Sequence, residues 1–327
     1  MKALLAGPSG SLRLAEIPVL PLALGECRVA VQLAGICRTD LELVKGYMNF
    51  SGVPGHEFVG TVAEGPERLL GRRVVGEINA ACGHCRACAS GMARHCPERT
   101  VLGIYRRPGA FAEFVDLPEQ NLLTVPDSIS DEDAVFVEPL AAALEIFEQI
   151  HVVPGARMLV LGDGKLGLLI AQVCCHAGAR VTLFGRHEKK LALARRWGAE
   201  AIQSSESEAV PHFQRFPYVI ECTGSAVGLS TALAWTAPRG TLILKSTYAH
   251  SPGEPPQLDW TKIVVDEISV VGSRCGLFAP ALRLLAGGTL DVRSLIDHRK
   301  TLEQGVDAFD LAGRRGALKI LLRIRSF

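Results

Sequence analysis

The stretch MLVLGDGKLGLLIAQ, residues 158–172, decides the fold. Residues 158–161 form a short continuous apolar run with the length of a buried strand. Gly162, Gly164 and Gly167 follow as G-x-G-x-x-G, with Asp163, Lys165 and Leu166 between them, and residues 168–176 are compatible with a helix. Strand, glycine turn and helix in that order are the context in which this pattern binds a dinucleotide. Gly162 suits the tight turn, Gly164 the close approach of a pyrophosphate, and Gly167 close packing of helix on strand. The helix start then offers unpaired backbone N–H groups to the phosphates. A glycine turn that serves packing alone is the competing explanation, and it does not require the flanking strand and helix.

Outward from this unit, apolar runs alternate with helical stretches between residues 138 and about 272. Residues 181–184, 218–222, 241–244 and 268–271 are the further strand candidates. Such alternation predicts a parallel sheet with helices on both faces. Residues 26–117 have a different texture. Short β-type runs at 28–33, 58–63, 72–78 and 111–115 are broken by Gly and Pro, which predicts an all-β, barrel-like domain with long loops. After Gly272, a helix-like segment at 280–286, the run 290–296 and a strand-like run at 318–324 are too little for a third domain. The tail is expected to return to the β-rich domain, so that the α/β unit is an insertion and a ligand lies in the cleft.

The end of the second strand candidate bears on the choice of cofactor. An NAD site places Asp or Glu there for the adenosine ribose hydroxyls. This chain reads Phe184-Gly185-Arg186-His187 instead. Gly185 leaves room and Arg186 offers a planar cation to a 2′-phosphate, with His187 and Lys190 close behind. The expectation is NADP in preference to NAD, although Glu188 could reach the ribose. Thr223 and Gly224 are placed to line the nicotinamide end.

Cys82, Cys85, Cys88 and Cys96 give C-x2-C-x2-C-x7-C in a loop that also contains Gly83 and Gly91. Four thiolates can converge on one tetrahedral ion and leave no position for substrate, so a zinc here would be structural and would pin the loop. Two disulfides or four reduced thiols are the alternatives; disulfides do not suit a reducing compartment. His84 and His95 are expected to be bystanders. Elsewhere, Gly35-Ile36-Cys37-Arg38-Thr39-Asp40 and Gly55-His56-Glu57 bring a thiol, an imidazole and a carboxylate together, and Glu138 stands before Pro139. Mixed S, N and O donors with a place left for water are the composition of a catalytic zinc. Each residue also has an ordinary role open to it: a small buried Cys, a satisfied His, a Glu in an ion pair.

Hydrophobic residues at 48% and charged residues at 21% of 327 argue against disorder and fibrous repeats. A net charge of +1 gives no long-range attraction to a phosphate backbone, so no nucleic-acid partner is expected. The best apolar run, 166–175, is interrupted by Gln172 and is far short of a bilayer span, and residues 1–11 lack a secretory signal core. The expected location is cytoplasmic, with no membrane partner.

In this order, the motifs resemble those of the zinc-dependent medium-chain alcohol and polyol dehydrogenases over essentially the whole chain. The resemblance implies an α/β protein. A GroES-like β-rich catalytic domain would take residues 1–137 and 276–327, and an inserted Rossmann domain, a doubly wound parallel sheet, residues 138–275. It implies two zinc ions per chain and a nicotinamide cofactor. Cys37 and His56 match catalytic zinc ligands, Asp40 the partner that orients His56, and Thr39 the hydroxyl that begins proton relay. Many alcohol dehydrogenases of the family have a second cysteine where this chain has Glu138. The chain is closer to the sorbitol and threonine dehydrogenase branch, and the sequence does not choose between Glu57 and Glu138 as ligand. Glu42 stands where the liver type has a relay histidine. Arg38 and Lys319 match contacts to the cofactor pyrophosphate, and Tyr47, Met48, Phe50, Phe111 and Cys275 are placed near the cleft. The implied reaction is reversible oxidation of a secondary alcohol, polyol or sugar to a ketone or aldehyde by a homodimer or homotetramer. A non-catalytic, redox-sensing protein that binds zinc and a dinucleotide is the rival, disfavoured because Cys37 and His56 are both present.

Overall fold

The computed structural model describes residues 1–7, 10–204, 215–247 and 258–325. They form two compact units, Met1–Glu138 with Phe278–Phe327, and Pro139–Leu277.

The first unit is built around the strand Glu26–Gly35, most of whose residues are buried. Cys27, Val29, Val31 and Leu33 line one apolar face of this strand, and on the other face Arg28 is buried through its carboxylate partners. The strand pairs antiparallel with Glu57–Glu64, with Phe114–Pro118 and with the C-terminal strand Lys319–Arg323. Leu321 lies opposite Gly35, so the end of the chain does return to the β-rich unit. The β-type run expected at 111–115 starts later, at Phe114. Phe111 is fully buried instead, edge-on to Phe309 with ring centres 5.6 Å apart. The run at 290–296 becomes a 3-10 turn, Arg293–Leu295, leading into the strand Ile296–Thr301.

The second unit is a six-stranded parallel sheet. Its spatial order is Glu200–Gln203, Arg180–Gly185, Arg157–Leu161, Phe216–Glu221, Thr236–Leu244 and Ser269–Gly272. In chain order this is the doubly wound arrangement, which reverses direction next to Arg157–Leu161. Helices Lys165–His176, Glu188–Arg196 and Ala226–Trp235 connect the strands. Leu159, Leu161, Val219, Leu229, Leu233 and Leu242 form one buried cluster between sheet and helix. Glu200–Gln203 was not anticipated. It is a four-residue strand at the sheet edge in which Ala201 and Ile202 stand between Glu200 and Gln203, too short for an apolar pattern, and it is held by its ladder to Arg180–Gly185. Among the described residues, no helix is long and apolar enough to cross a membrane.

Candidate active site

Asp40 organises the first constellation. It is fully buried, and its Oδ2 accepts the N–H of Cys37 at 2.8 Å while Oδ1 accepts that of Gly55 at 3.2 Å. One carboxylate thereby ties together the two loops that carry Cys37 and His56. Gly55 has φ +104°, and a β-carbon there would lie 2.8 Å from the Phe111 ring, so only glycine fits. Glu57 starts its strand directly opposite Gly35. A β-carbon on residue 35 would come within 2.6 Å of Glu57 Oε2 and 3.2 Å of Lys319 Cδ. Glycine here makes space for a buried ion pair between Glu57 and Lys319, each 1% exposed.

Donor atoms of Cys37, His56 and Glu57 lie within 4.8 Å of one another. His56 Nδ1 is buried and makes no hydrogen bond, although Asp40 Oδ1 is 3.1 Å away. Burial opposes protonation of His56, but Asp40 and Cys37 outweigh it and raise its pKa. The surroundings of the ring thus call for positive charge, and a divalent cation on soft and hard donors meets the same demand. The donor set fits zinc. Glu138 is not within that 4.8 Å group. Its carboxyl is pushed up to about 7 by burial and by the Glu57 and Asp40 carboxylates, against His56 and Lys319.

The four cysteines of the second constellation converge. Sγ–Sγ distances are 3.9 Å for Cys82–Cys88, 3.5 Å for Cys85–Cys88, 3.7 Å for Cys85–Cys96 and 3.5 Å for Cys96–Cys82. With zinc–sulfur bonds of about 2.3 Å, the edge of a tetrahedron is about 3.8 Å, so the thiols already frame one such ion. They are far too distant for disulfides. His84 and Glu98 form a further possible group with Cys82, but both are exposed.

In the second unit, two of the three fingerprint glycines are packed and one is open. A β-carbon would lie 2.9 Å from Cys222 O at Gly162 and 1.9 Å from Gly162 O at Gly167, whereas at Gly164 it meets nothing within 4 Å. Gly164 is also the residue before the helix Lys165–His176. Thr223 donates its N–H and hydroxyl to Glu221 Oε1, which fixes the loop after the strand Phe216–Glu221.

Comparison with known proteins agrees with this construction. Residues 23–127 match the alcohol dehydrogenase GroES-like domain, and residues 166–287 match the zinc-binding dehydrogenase model. An L-threonine 3-dehydrogenase of Chelativorans sp. (strain BNC1) is 30% identical over 329 residues, covering 94% of each chain. The rspB alcohol dehydrogenase of Escherichia coli CFT073, solved with NADH, is 28% identical with a TM-score of 0.89 over 99% of each chain. A zinc-binding dehydrogenase of Sinorhizobium meliloti 1021, solved with NADP, gives the same identity, TM-score and coverage. The chain belongs to the zinc-binding medium-chain dehydrogenase/reductase family. It has that family's GroES-like and Rossmann-type architecture, and it is an NAD(P)-dependent oxidoreductase acting on CH–OH groups.

In this dehydrogenase several residues sit differently from their sequence-based assignments. Lys319, matched to a pyrophosphate contact, is buried and its ammonium is engaged by Glu57, so no charged surface remains for a phosphate. Phe111 is core, not cleft. Tyr47 and Met48 are exposed, with Met48 and Asn49 at φ 59° and 50°. Arg38 is exposed and pairs with Glu42 at 2.8 Å, so the residue at the relay-histidine position is already occupied by a cation. Lys190 is buried behind the corner it was expected to flank, and Glu188 is engaged by Arg195. Gly185 does leave room, but the space holds the Asp163 side chain: a β-carbon on residue 185 would lie 2.6 Å from Asp163 Cβ. Asp163 stands inside the fingerprint rather than at the strand tip where an NAD site places its acid, so no spacing rule singles it out.

Proposed function

We propose that this dehydrogenase oxidises a secondary alcohol, polyol or sugar to a ketone or aldehyde, reversibly and with zinc, and that it prefers NADP to NAD. The observation that carries the reading is the convergence of Cys37, His56 and Glu57 within 4.8 Å. Likeness to L-threonine 3-dehydrogenases supports the secondary-alcohol class, since threonine carries its 3-hydroxyl on a secondary carbon.

Cys37 and His56 would hold the catalytic zinc with Glu57 or Glu138, and the four clustered cysteines the structural one. When bound, the ion would supply Lewis acidity toward the substrate oxygen and the nicotinamide would supply the hydride acceptor. Thr39, with Oγ1 3.8 Å from Cys37 Sγ, would begin a proton relay, accepting the substrate proton as it hands its own on to water, Glu42 or the cofactor ribose. Asp40 fixes the Cys37 and Gly55 backbones, so thiol and imidazole keep their spacing before substrate arrives. Lys319 holds Glu57 through Oε2 and fixes the position of its carboxylate. The glycine loop with Lys165 and Leu166 takes the pyrophosphate, Arg186 and His187 a 2′-phosphate, and Thr223 the nicotinamide end. A reducing, cytoplasmic compartment belongs to the same proposal, because clustered thiols serve as ligands only while reduced.

The test is turnover with NADPH and NADH across polyols, sugars, amino alcohols and simple alcohols, with and without a chelator. Cys37→Ala and His56→Ala should each abolish turnover while cofactor titrations remain normal. Retained activity in either variant overturns zinc catalysis. Arg186→Asp should raise the KM for NADPH far more than that for NADH, and equal effects remove the NADP preference.

A further inference from the structure

We propose that Asp163 is the positioning residue of the 2′-phosphate subsite, acting through the Arg186–His187 corner; the inference rests on the NADP reading above. Asp163 is 7% exposed. Its Oδ2 accepts the backbone N–H of Arg186 at 2.8 Å and of His187 at 2.7 Å, and it lies 2.9 Å from His187 Nδ1. Three contacts on one oxygen fix the corner between the strand Arg180–Gly185 and the helix Glu188–Arg196. From the other side, Gln203 Nε2 donates to Arg186 O at 3.2 Å. The Arg186 peptide is therefore held at both its N–H and its carbonyl.

Consequences follow for recognition. The backbone N–H groups of Arg186 and His187, just before the helix, are taken by Asp163, so an incoming ligand is read at this corner by side chains. Arg186 is exposed and has no ion pair among the described residues. The ionised Asp163 makes Nδ1 the donor in its contact with His187, which turns Nε2 away from the carboxylate. Burial alone would raise the Asp163 pKa. The N–H groups and ring of His187, the N–H of Arg186 and the charge of Lys190 outweigh burial and keep it lowered. Arg186, the cation that remains, suits a phosphate dianion better than a pair of ribose hydroxyls. Gly185 completes the device, because any side chain there would collide with Asp163.

Calorimetric titration of the zinc-loaded protein with adenosine 2′,5′-bisphosphate and with 5′-AMP tests this without turnover. Wild type should bind the bisphosphate more tightly. Asp163→Ala should weaken the bisphosphate by about tenfold or more while 5′-AMP shifts by less than about threefold. Asp163→Asn keeps an acceptor oxygen and should retain most of the preference. Gly185→Ala, in which the carboxylate is displaced but present, should reproduce the selective loss and covers the case in which Asp163→Ala does not fold. Equal weakening of both ligands, or an unchanged preference in Asp163→Ala or Gly185→Ala, overturns the assignment. So does tighter bisphosphate binding with weaker 5′-AMP binding in Asp163→Asn, which would make Asp163 a direct ribose acceptor. A wild type that binds both ligands equally overturns the NADP reading and this inference with it.

Discussion

Arg28 is 5% exposed, and each face of its guanidinium is met: Asp116 through Nε at 2.9 Å and Nη2 at 2.8 Å, Glu64 through Nη1 at 2.9 Å, and the Leu20 carbonyl at 2.6 Å. The contacts link Glu26–Gly35 to both of its neighbours, Glu57–Glu64 and Phe114–Pro118, and raise the Arg28 pKa, with the Asp116 hydrogen bond foremost. Removing one partner of such a group leaves the others desolvated and unpaired. Arg28→Ala should therefore lose about 3 kcal/mol in urea unfolding, near the low end for a buried pair because Asp116 and Glu64 keep some water. A loss under about 0.5 kcal/mol would show the network to be ornamental. Asp163 makes a prediction in pH. Its folded pKa is lowered, so its contribution to stability is complete above the unfolded value of about 3.9 and is lost as pH falls through the folded value. The stability difference between wild type and Asp163→Asn should hold steady from about pH 5 to 8 and close below about pH 4. A difference that widens on acidification would contradict the assigned charge.

The glycine loop and the cysteine loop each act as an element, and each can be separated into packing and binding. Gly167 has Gly162 O where a β-carbon would sit, whereas Gly164 has open space. Gly167→Ala should cost roughly 1–3 kcal/mol or more in thermal unfolding, as overpacking does. Gly164→Ala should melt like wild type yet bind NADPH more weakly in fluorescence titration; normal binding would remove the pyrophosphate from this loop. In the cysteine loop, Cys96 is fully buried. Cys96→Ser should lose one zinc by metal analysis and expose the loop to protease, while an unchanged zinc content would refute the structural site. The same elements show what the sequence could and could not reveal. The inner strands of the parallel sheet are buried on both faces, so their apolar runs were legible, and so were the local spacings of the glycine fingerprint and the cysteines. Glu200–Gln203 was not, since four residues carry too little pattern and the strand takes its conformation from its ladder to Arg180–Gly185. The Glu57–Lys319 pair, 262 residues apart, and the reach of Asp163 to the Arg186–His187 corner were likewise invisible to spacing.

At the scale of the whole molecule, the parallel sheet ends on one side in Ser269–Gly272, which pairs only with Thr236–Leu244 among the described strands. Such an edge offers unpaired N–H and C=O groups to another chain unless charge, a bulge or a covering element protects it. Here the edge carries Val270, 42% exposed, and the preceding helix Trp260–Val265 exposes Trp260 at 68%, Val264 at 75% and Val265 at 72%. Exposed apolar side chains on this strand and on the helix that precedes it fit contact with another protein surface better than contact with water. A second copy is the simplest occupant, because a two-fold axis beside the edge would set the same strand and the same valines against themselves, satisfying ladder and apolar face together. We propose a homodimer through this edge, to be tested by its mass in solution. Light scattering should give twice the chain mass, and Val270→Lys together with Val265→Lys should shift the protein to monomer without loss of zinc. An oligomer that survives both substitutions would place the interface elsewhere, and a wild type that stays monomeric at high concentration would remove it.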